Sequence, residues 1–427
     1  MNVYDKSNER IEYTFENFDN IYLSFSGGKD SGIMLNLVID YMRANNITKK
    51  IGLFHIDYEA QYQMTTDYVD EVYSENEDLF DYYRVCIPLT VECCTSMTQS
   101  YWTPWEQSKK DLWVRDRPES INIDNHDFDF YKEGMWDYDF QEKFIEWMHK
   151  KNKAGKTACF VGIRTDESLN RWRAIHSEKN TRKFNGRKWT KEIKENMYNI
   201  YPVFDYRTED VWIANAKYGW SYNKLYDVFY QAGLTIAQMR VASPFISTAS
   251  ETLKMYKVID PKNWGKMIGR VNGVNFTGLY GGTTAMGWRK IKLPKGHTWK
   301  SYMEFLLNTL PEESKNNYKK KLQTSIDFWN NRGGCLSLEL IDKLKDLKIN
   351  IKVIEETNYN TPKKPVRMEY LDDIDIKEFK EVPTYKRMCI CIMKNDHLCK
   401  TMGFSLTKTE TQKRKQAESK YKNLQNK

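Results

Sequence analysis

The sequence predicts an α/β fold in which helices cover both faces of a parallel, twisted sheet, with a smaller and mostly helical C-terminal region. Short apolar segments alternate with segments of helix length over the first 245 residues, which is the rhythm of parallel strands joined by helical crossovers. Beyond about residue 247, glycines accumulate and longer helical patterns follow. We therefore expect a domain at 1–245 with an insertion at about 100–138, an extension at 246–332, and a small basic region with a solvated tail at 333–427.

The individual elements follow from composition and periodicity. Strands are predicted at apolar, β-prone runs, namely 21–25, 50–57, 83–89 and 157–163. Helices are predicted where the pattern lengthens, namely 33–39, 66–78, 140–150, 299–310 and 315–330. The aromatic stretch Tyr101–Trp105 lies in the insertion, and we favour burial of its rings over stacking on a base.

The composition is that of a globular protein, since 40% of the 427 residues are hydrophobic and the formal net charge is +8. No apolar run approaches the ~20 residues that span a bilayer, and the first residues lack an apolar signal core. We therefore expect a cytoplasmic protein with no membrane partner. Eight cysteines are too sparse for a disulfide scaffold, so reduced thiols are expected. Basic stretches at 150–194 and 408–427 keep nucleic acid open as a partner.

The most informative segment is the glycine turn at residues 24–32, Ser-Phe-Ser-Gly-Gly-Lys-Asp-Ser-Gly. A strand, a glycine turn and a helix in this order present backbone N–H groups to an anion. The two adjacent glycines permit a close approach of the main chain. Lys29 adds a positive charge, and the hydroxyls of Ser26 and Ser31 can donate to phosphate oxygens. The glycine spacing is not that of a Walker A loop.

Two further charged segments follow predicted strands. Asp57 and Glu59 come at the end of the strand at 50–57, and three arginines and two acids lie within residues 162–173, after the next apolar strand. In open parallel sheets, ligands bind beyond the carboxyl ends of the strands. We therefore expect the glycine turn, the acidic pair and the arginines to surround one crevice. Arginine forks suit bidentate contact with phosphate or sulfate oxygens.

Four motifs in this order resemble those of a known enzyme group. The hexapeptide Ser26–Ser31 resembles the PP-loop of the N-type ATP pyrophosphatases, which have the adenine nucleotide alpha-hydrolase-like fold. Residues 162–173 resemble the signature of phosphoadenosine phosphosulfate reductases and the arginine-rich motif of the small subunit of bacterial ATP sulfurylase. His55-Ile56-Asp57 is similar to a His-Val-Asp segment of that subunit, and residues 201–212 resemble a Tyr-Pro…Asp-Val-Trp stretch that both groups share.

The resemblance implies an enzyme that binds ATP with Mg²⁺, cleaves it between the α and β phosphates, and adenylylates an oxyanion acceptor that is similar to sulfate. It implies catalytic roles for Lys29, Arg164 and Arg171. The nucleotide-binding residues that it implies are Ser24, Ser26, Gly27, Gly28, Lys29, Asp30, Ser31, His55, Asp57, Gly162, Arg164, Glu167 and Arg173. Either Asp30 or Asp57 would hold the magnesium ion.

The C-terminal extension also resembles part of a known branch. Its general layout is similar to that of the phosphoadenosine-phosphosulfate-reductase-like proteins known as immunoglobulin-binding regulator A. That resemblance implies a ParB/sulfiredoxin-like protein as a partner of this chain.

The chain departs from the reductases in its cysteines. Reductases attack the sulfate with a cysteine in a C-terminal Glu-Cys-Gly-Leu-His-type segment, which this sequence lacks, and Cys335 lies in an unlike context. The paired cysteines of an iron–sulfur cluster are not matched either, so no such cluster is expected. Cys389, Cys391, His397 and Cys399 offer four donors for zinc. Their Cys-x-Cys start departs from the usual spacing, however, and the same stretch is typical of a plain buried segment.

Three functions remain open from the sequence. They are adenylyl transfer from ATP, reduction of an adenylyl sulfate by a thiol, and a nucleotide-gated regulatory or nucleic-acid-binding role. Release of pyrophosphate from ATP would indicate the first function, and production of sulfite that depends on one cysteine would indicate the second. Affinity for DNA that falls steeply with salt would indicate the third.

Overall fold

The structure of the chain is a computed structural model. It describes residues 2–167, 171–172, 175, 183–241, 243–280, 291, 293–354 and 363–404. These residues divide into two compact units, the first within 1–289 and the second within 290–427. The first unit therefore continues well past residue 245, where the sequence predicts the end of the nucleotide-binding domain.

The helices and strands of the first unit alternate along its N-terminal part. Its helices are α1 Val3–Asn17, α2 Lys29–Ala44, α3 Gln63–Glu75, α4 Asp137–Lys151, α5 Thr208–Tyr218, α6 Leu225–Gln231, α7 Ser250–Ile259, α8 Pro261–Arg270 and α9 Val274–Tyr280. Its strands are β1 Asn20–Ser24, β2 Ile51–Ile56, β3 Phe80–Cys86, β4 Val91–Glu92, β5 Tyr101–Trp102, β6 Ile121–Asn122, β7 Thr157–Val161, β8 Thr190–Lys194 and β9 Met197–Ile200.

A seven-stranded sheet forms the centre of the first unit, with the strand order β6-β3-β2-β1-β7-β9-β8. Every pairing is parallel except that of β8 with β9. The predicted α/β fold with a parallel sheet is therefore confirmed. From β1 the chain first builds outwards through β2 and β3, and later returns to the other side of β1 with β7. The boundary between β1 and β7 is thus the switch point at which such sheets bind ligands.

Apolar side chains on successive residues of the strands fill both faces of the sheet. On β1, Tyr22 belongs to one buried cluster and Leu23 to the other, because neighbouring residues of a strand point to opposite faces. Phe144 of α4 stacks on Phe54 of β2 with ring centroids 4.0 Å apart on the first face. Helices α1 and α2 cover the second face, where Ile11 and Ile33 are fully buried. A sheet that is buried on both faces explains why its strands are continuous apolar runs.

Helices α7 and α8 pack against the connection between β2 and α3. The ring of Tyr256 stacks on that of Tyr62 with centroids 3.6 Å apart. The hydroxyl of Tyr256 donates to the carbonyl oxygen of Ala60 at 2.8 Å. The hydroxyl of Tyr62 donates to the backbone carbonyl oxygen of Thr252 at 2.5 Å. These reciprocal contacts make the helices beyond residue 245 part of the first unit. In the stretch Tyr101–Trp105, the rings of Trp102 and Trp105 are buried as predicted, but Tyr101 is 51% exposed.

The second unit contains four α-helices within its described residues and a small sheet. The helices are α10 Trp299–Asn308, α11 Glu312–Asp327, α12 Leu338–Asp346 and α13 Tyr385–Met393. The strands are β10 Gly334–Leu336, β11 Ile351–Val353 and β12 Lys364–Met368, in the antiparallel order β10-β12-β11. The sequence predicts the helices at 299–310 and 315–330, but segments as short as these strands carry too little periodicity to be recognised.

The cysteines of the second unit lie in its apolar core. Cys389 and Cys391 are fully buried on α13, and Cys399 is buried beside that helix. The thiol of Cys389 donates to the carbonyl oxygen of Trp299 at 3.5 Å, and that of Cys391 to the carbonyl oxygen of Asp396 at 3.4 Å. Within the described residues, which include all four predicted zinc donors, no group of three or more His, Cys, Asp or Glu side chains is placed to hold a metal. The geometry favours the buried-segment interpretation over the zinc site.

In the parts of the chain that the structure describes, no helix combines the length and the apolarity that crossing a bilayer requires. The predicted tail lies beyond residue 404 and thus outside the described residues.

Gly162→Ala is expected to destabilise the protein. A Cβ atom at this position would lie 2.6 Å from the backbone oxygen of Asp30 and 2.8 Å from Cα of Ser31. Both are main-chain atoms at the start of α2 that cannot rotate away, so we expect a loss of about 1–3 kcal/mol in the free energy of unfolding. Urea unfolding followed by circular dichroism measures this loss.

Gly265→Ala is the matched control for that measurement. A Cβ atom at Gly265 would meet no heavy atom within 4 Å, and the residue lies inside α8. Alanine is favoured over glycine inside a helix by ~0.5–1 kcal/mol, so this variant should be slightly more stable than the wild type. Equal stability of Gly162→Ala and the wild type would contradict the close approach of the chain after β7 to α2.

Candidate nucleotide-binding site

The glycine turn is held in shape by its own serines. Gly27 adopts a φ of +73°, a conformation that side chains disfavour, and Gly28 is the N-cap of α2. The backbone N–H of Ser26 donates to Oγ of Ser31 at 3.2 Å, and the Ser31 hydroxyl donates to the carbonyl oxygen of Gly28 at 3.1 Å. Gly28 itself has no side chain that could cap the first turn of α2. The turn therefore presents the N-terminus of a 16-residue helix, which attracts anions.

Asp30 binds both cations that are nearest to the turn. Its Oδ2 accepts from Nζ of Lys29 at 2.7 Å, and its Oδ1 accepts from Nε of Arg164 at 2.6 Å. All three side chains are largely buried. Burial lowers the pKa of Lys29, and the charge of Asp30 opposes that effect. The predicted convergence of the turn with Arg164 is thus present in the geometry, since β1 and β7 are neighbours.

Arg164 is fixed on every side. Besides Asp30, its guanidinium donates to the carbonyl oxygen of Tyr206 at 3.3 Å and to Oγ1 of Thr208 at 3.2 Å. It also forms an ion pair with the exposed Asp166 at 3.4 Å. Tyr206 and Thr208 lie in the Tyr-Pro…Asp-Val-Trp stretch, so this motif supports Arg164 from behind. Gly162 allows the whole arrangement, because the chain there touches the backbone of α2.

Glu167 gathers two more arginines at the same crevice. It forms ion pairs with Arg171 and, at 3.6 Å, with Arg240. The side chain of Glu167 is only 7% exposed, so it is well placed to hold these arginines near the turn. Arg240 was not predicted as a site residue. Arg173 was predicted as a site residue, but it lies outside the described residues.

Asp57 has a different environment from the one predicted. It is completely buried, its Oδ2 accepts from Nε and Nη2 of Arg84 at 3.1 and 2.9 Å, and its Oδ1 accepts from Arg115. Burial raises the pKa of this carboxyl, but the charges of Arg115 and Arg84 outweigh burial and bring the pKa to about 2. Asp57 is thus enclosed by two arginines with no exposed side-chain surface, whereas 12% of the side chain of Asp30 is exposed.

Glu59, the second member of the acidic pair, is also engaged within the protein. It is fully buried and has a φ of +61°. Its carboxylate accepts from the backbone N–H groups of Trp105 at 2.6 Å and Val114 at 3.1 Å. Arg270 of α8 donates to both carboxylate oxygens, at 3.0 and 3.2 Å. The pair Asp57 and Glu59 thus ties the insertion and α8 to the end of β2 and does not line an open crevice.

His55 lies under the turn. It is 1% exposed, and its Nδ1 makes a hydrogen bond of 2.8 Å with the carbonyl oxygen of Phe25. Since a carbonyl can only accept, Nδ1 carries the proton and Nε2 presents a lone pair. Nε2 has no partner within the described residues. Burial lowers the pKa of His55 to about 4, so the ring is neutral at physiological pH.

Several residues near the turn were missed by the sequence analysis because they come from a distant part of the chain. The hydroxyl of Tyr226 on α6 accepts from the backbone N–H of Lys29 at 3.0 Å. Nδ2 of Asn223 donates to the carbonyl oxygen of Gly27 at 2.9 Å. Val241 approaches Gly28, since a Cβ there would lie 3.3 Å from its Cγ2. Residues 223–241 therefore form one side of the site. No sequence motif in that stretch indicates that its residues contact the glycine turn.

The arrangement suits an anion with several oxygens. The crevice combines the first turn of α2 with four cationic side chains, Lys29, Arg164, Arg171 and Arg240. Three carboxylates face them, those of Asp30, Asp166 and Glu167, so among the described residues the cations of the crevice outnumber its carboxylates by one. Helix N-termini and arginine forks are the recurrent phosphate ligands of proteins.

The comparisons with known proteins place the chain in a family. Residues 20–232 match the "Phosphoadenosine phosphosulfate reductase domain", and residues 233–413 match a "Domain of unknown function (DUF3440)". The "Uncharacterized protein YbdN" of Escherichia coli strain K12 is 31% identical over 418 residues, which cover 97% of this chain and 93% of that protein. The chain belongs to the family of phosphoadenosine phosphosulfate reductase-domain proteins that includes this relative.

Solved structures that resemble the chain are more distant. A phosphoadenylyl-sulfate reductase of Candida auris in a phosphate complex is 16% identical, with a TM-score of 0.30, and the match covers 52% of this chain and 84% of that chain. An FMN adenylyltransferase of Candida glabrata with FMN and an ATP analogue is also 16% identical, with a TM-score of 0.31, over 52% of this chain and 59% of that chain. Likenesses at this level support no inference about the reaction.

The buried His55 is expected to make folding depend on pH within a defined window. Burial places its pKa at about 4, below the usual 6.5. Between these values the unfolded chain binds a proton that the folded chain does not bind, so stability rises with pH. The contribution should be complete above about pH 6.5 and be lost as the pH falls to about 4, with a total loss of roughly 3 kcal/mol. Urea unfolding at several pH values across this window measures the loss.

His55→Asn provides the comparison for that pH series. The amide can still donate to the carbonyl oxygen of Phe25, but it does not titrate. The variant should therefore lose the part of the pH dependence that lies between about 4 and 6.5. The same slope in the variant and in the wild type would show that another group titrates in this window.

Proposed function

We propose that this protein binds ATP at the glycine turn, cleaves it between the α and β phosphates, and transfers the adenylyl group to an oxyanion acceptor with release of pyrophosphate. The observation that carries the proposal is the sharing of Asp30 by Lys29 and Arg164 at the start of α2. Two cations held at a helix N-terminus are suited to a polyphosphate. Membership of the family agrees with a nucleotide substrate.

The residues divide the work by position. The turn from Ser26 to Ser31 and the ammonium of Lys29 would bind the β and γ phosphates, which become the leaving group. Arg164 and Arg171 would stabilise the charge on the α phosphate while the acceptor oxygen attacks its phosphorus atom. A new P–O bond forms, the bond to the bridging oxygen breaks, and pyrophosphate keeps the electron pair. An acceptor that is already an anion needs no general base.

Asp30 is the residue best suited to bind a magnesium ion. Its carboxylate lies at the turn and is partly accessible, with 12% of the side chain exposed, whereas the side chain of Asp57 is completely buried. Magnesium prefers carboxylate and phosphate oxygens, and when bound it would neutralise phosphate charge. Transfer of Asp30 from its two cations to the metal would release Lys29 and Arg164 to the phosphates.

Reduction of an adenylyl sulfate by a thiol has less support. All eight cysteines belong to the described residues, seven of them are buried, and Cys335 is half-buried. The thiolate is the nucleophilic form of cysteine. Cys159 on β7 is the cysteine nearest to Arg164 in the sequence, and burial raises the pKa of its thiol to about 12.

The regulatory alternative keeps the same nucleotide site with slow turnover. Its support is the basic composition of residues 179–194 and of the tail. A nucleic-acid complex whose affinity falls steeply with salt would indicate this role. The resemblance to the branch of immunoglobulin-binding regulator A, and the ParB/sulfiredoxin-like partner that it implies, remain predictions.

The reaction can be tested with α-labelled ATP, Mg²⁺ and candidate oxyanions such as sulfate. Labelled AMP or an adenylylated acceptor should appear together with pyrophosphate. Because Lys29 and Arg164 would act on the phosphates, Lys29→Ala and Arg164→Ala should each lower the rate by roughly 10²–10³-fold. Appearance of labelled ADP would contradict cleavage between the α and β phosphates.

Lys150→Ala is the control for this experiment. Lys150 lies on α4 with 68% of its side chain exposed, and its nearest carboxylate is 3.9 Å away. Its substitution should leave the rate unchanged, because an exposed charge far from the reacting atoms contributes little. Full activity of both site variants would overturn the assignment of the site.

Asp30→Asn separates the two roles given to Asp30. The amide keeps the size of the side chain but cannot hold Lys29 and Arg164 by charge. We expect ATP to bind the variant at least as tightly as the wild type in the presence of a chelator. The gain in affinity on addition of Mg²⁺ should disappear. Titration calorimetry with and without the metal measures both, and an unchanged effect of Mg²⁺ would exclude Asp30 as its ligand.

A further inference from the structure

The phenol of Tyr226 occupies the place where a phosphate oxygen would meet the first turn of α2. Its hydroxyl oxygen lies 3.0 Å from the backbone nitrogen of Lys29 and accepts that N–H. It is also close to the turn itself, since a Cβ at Gly28 would lie 3.5 Å from this oxygen. Tyr226 comes from α6, almost two hundred positions along the chain, and only 4% of it is exposed.

The direction of the O–H bond of Tyr226 follows from the contact that its oxygen already makes. The oxygen already accepts from Lys29, so its own O–H points elsewhere. Within the described residues, no acceptor receives that hydrogen. Asp30 is near enough for its charge to affect the phenol, so the O–H belongs to the same group of polar atoms as Lys29 and Arg164. An O–H that accepts a hydrogen bond is also a stronger donor, because hydrogen bonds in series polarise one another.

The ring is held so that its hydroxyl stays at the turn. The rings of Tyr226 and Trp212 pack edge to face, with centroids 5.5 Å apart and an angle of 73° between the ring planes. The backbone N–H of Tyr226 is bonded to the carbonyl oxygen of Asn223 at 3.2 Å, and Asn223 in turn binds the carbonyl oxygen of Gly27. Burial raises the pKa of Tyr226 above its usual value, so the phenol carries its hydrogen at neutral pH.

We propose that Tyr226 is a phosphate-binding residue: its hydroxyl accepts the backbone N–H of Lys29 and donates its hydrogen to an oxygen of the pyrophosphate portion of the bound nucleotide. This inference rests on the proposed function, and it extends the anion site from the turn to α6. The N-terminal amide of α2 then acts on the ligand through the phenol. A tyrosine that merely blocked the helix would have the opposite effect on affinity.

The test is titration calorimetry of the full chain with three probes, namely ATP, inorganic pyrophosphate and adenosine. Tyr226→Phe keeps the ring against Trp212 and removes the hydroxyl. Because hydrogen bonds to charged groups are the strong ones, we expect ATP and pyrophosphate to bind the variant roughly tenfold to a hundredfold more weakly than the wild type. Adenosine, which has no phosphate, should bind both proteins equally.

Tyr222→Phe is the matched control. Tyr222 precedes α6, contacts the same Trp212 ring, and donates its hydroxyl to Asp227 at 3.0 Å rather than to the turn. This variant should bind all three probes as the wild type does. Circular dichroism and the thermal midpoint of each variant show whether the fold is retained.

Each other result has a defined meaning. Equal or tighter binding of pyrophosphate by Tyr226→Phe would overturn the role of the phenol as a donor, while ATP binding by the wild type would leave the proposed function intact. A loss that extends equally to adenosine would also overturn it, because the effect would then be one of shape. Failure of the wild type to bind either ATP or pyrophosphate would overturn both proposals.

Discussion

The carboxylate of Asp30 lies between the ammonium of Lys29 and the guanidinium of Arg164, and the order of the crevice depends on this shared contact. Removing a cation from water costs several kcal/mol unless an opposite charge compensates it. One carboxylate here compensates two cations that come from different strand ends, β1 and β7. Gly162 makes the contact possible by letting the two ends touch. The cations of the candidate site are thus held in place by the protein itself.

The strand order explains why the three charged segments that follow β1, β2 and β7 have different fates. Strands are added first on one side of β1, as β2 and β3, and later on its other side, as β7, so the crevice opens between β1 and β7. Arg164 reaches this crevice, and Asp57 does not, since β2 lies on the other side of β1. There Asp57 is covered by Arg84 and Arg115, which come from β3 and the insertion. The same sheet therefore carries the candidate site on one side of its first strand and a buried ion cluster on the other.

The sequence was sufficient for the four central strands, β3, β2, β1 and β7, and for the residues of the glycine turn, because both depend on local patterns. Apolar runs, glycines and a following helix have signatures within a few residues. It was not sufficient for Tyr226, Arg240 or the partners of Asp57, because each of these contacts joins residues that are far apart in the chain. A tyrosine or an arginine outside a motif looks the same whether it faces solvent or a phosphate site. Adjacent carboxylates such as Asp57 and Glu59 suggest a metal until the arginines that cover them are known.

The buried ion pair between Arg270 and Glu59 joins two segments of the chain that match different family descriptions. Glu59 belongs to the segment that matches the reductase domain, and Arg270 to the segment that matches the domain of unknown function. Each side chain is almost completely buried, at 0% and 2% exposed, so neither charge is tolerable without the other. The border at residue 232 is consequently a border between sequence descriptions and not between folding units. A chain cut at residue 232 would therefore leave the carboxylate of Glu59 without the guanidinium of Arg270.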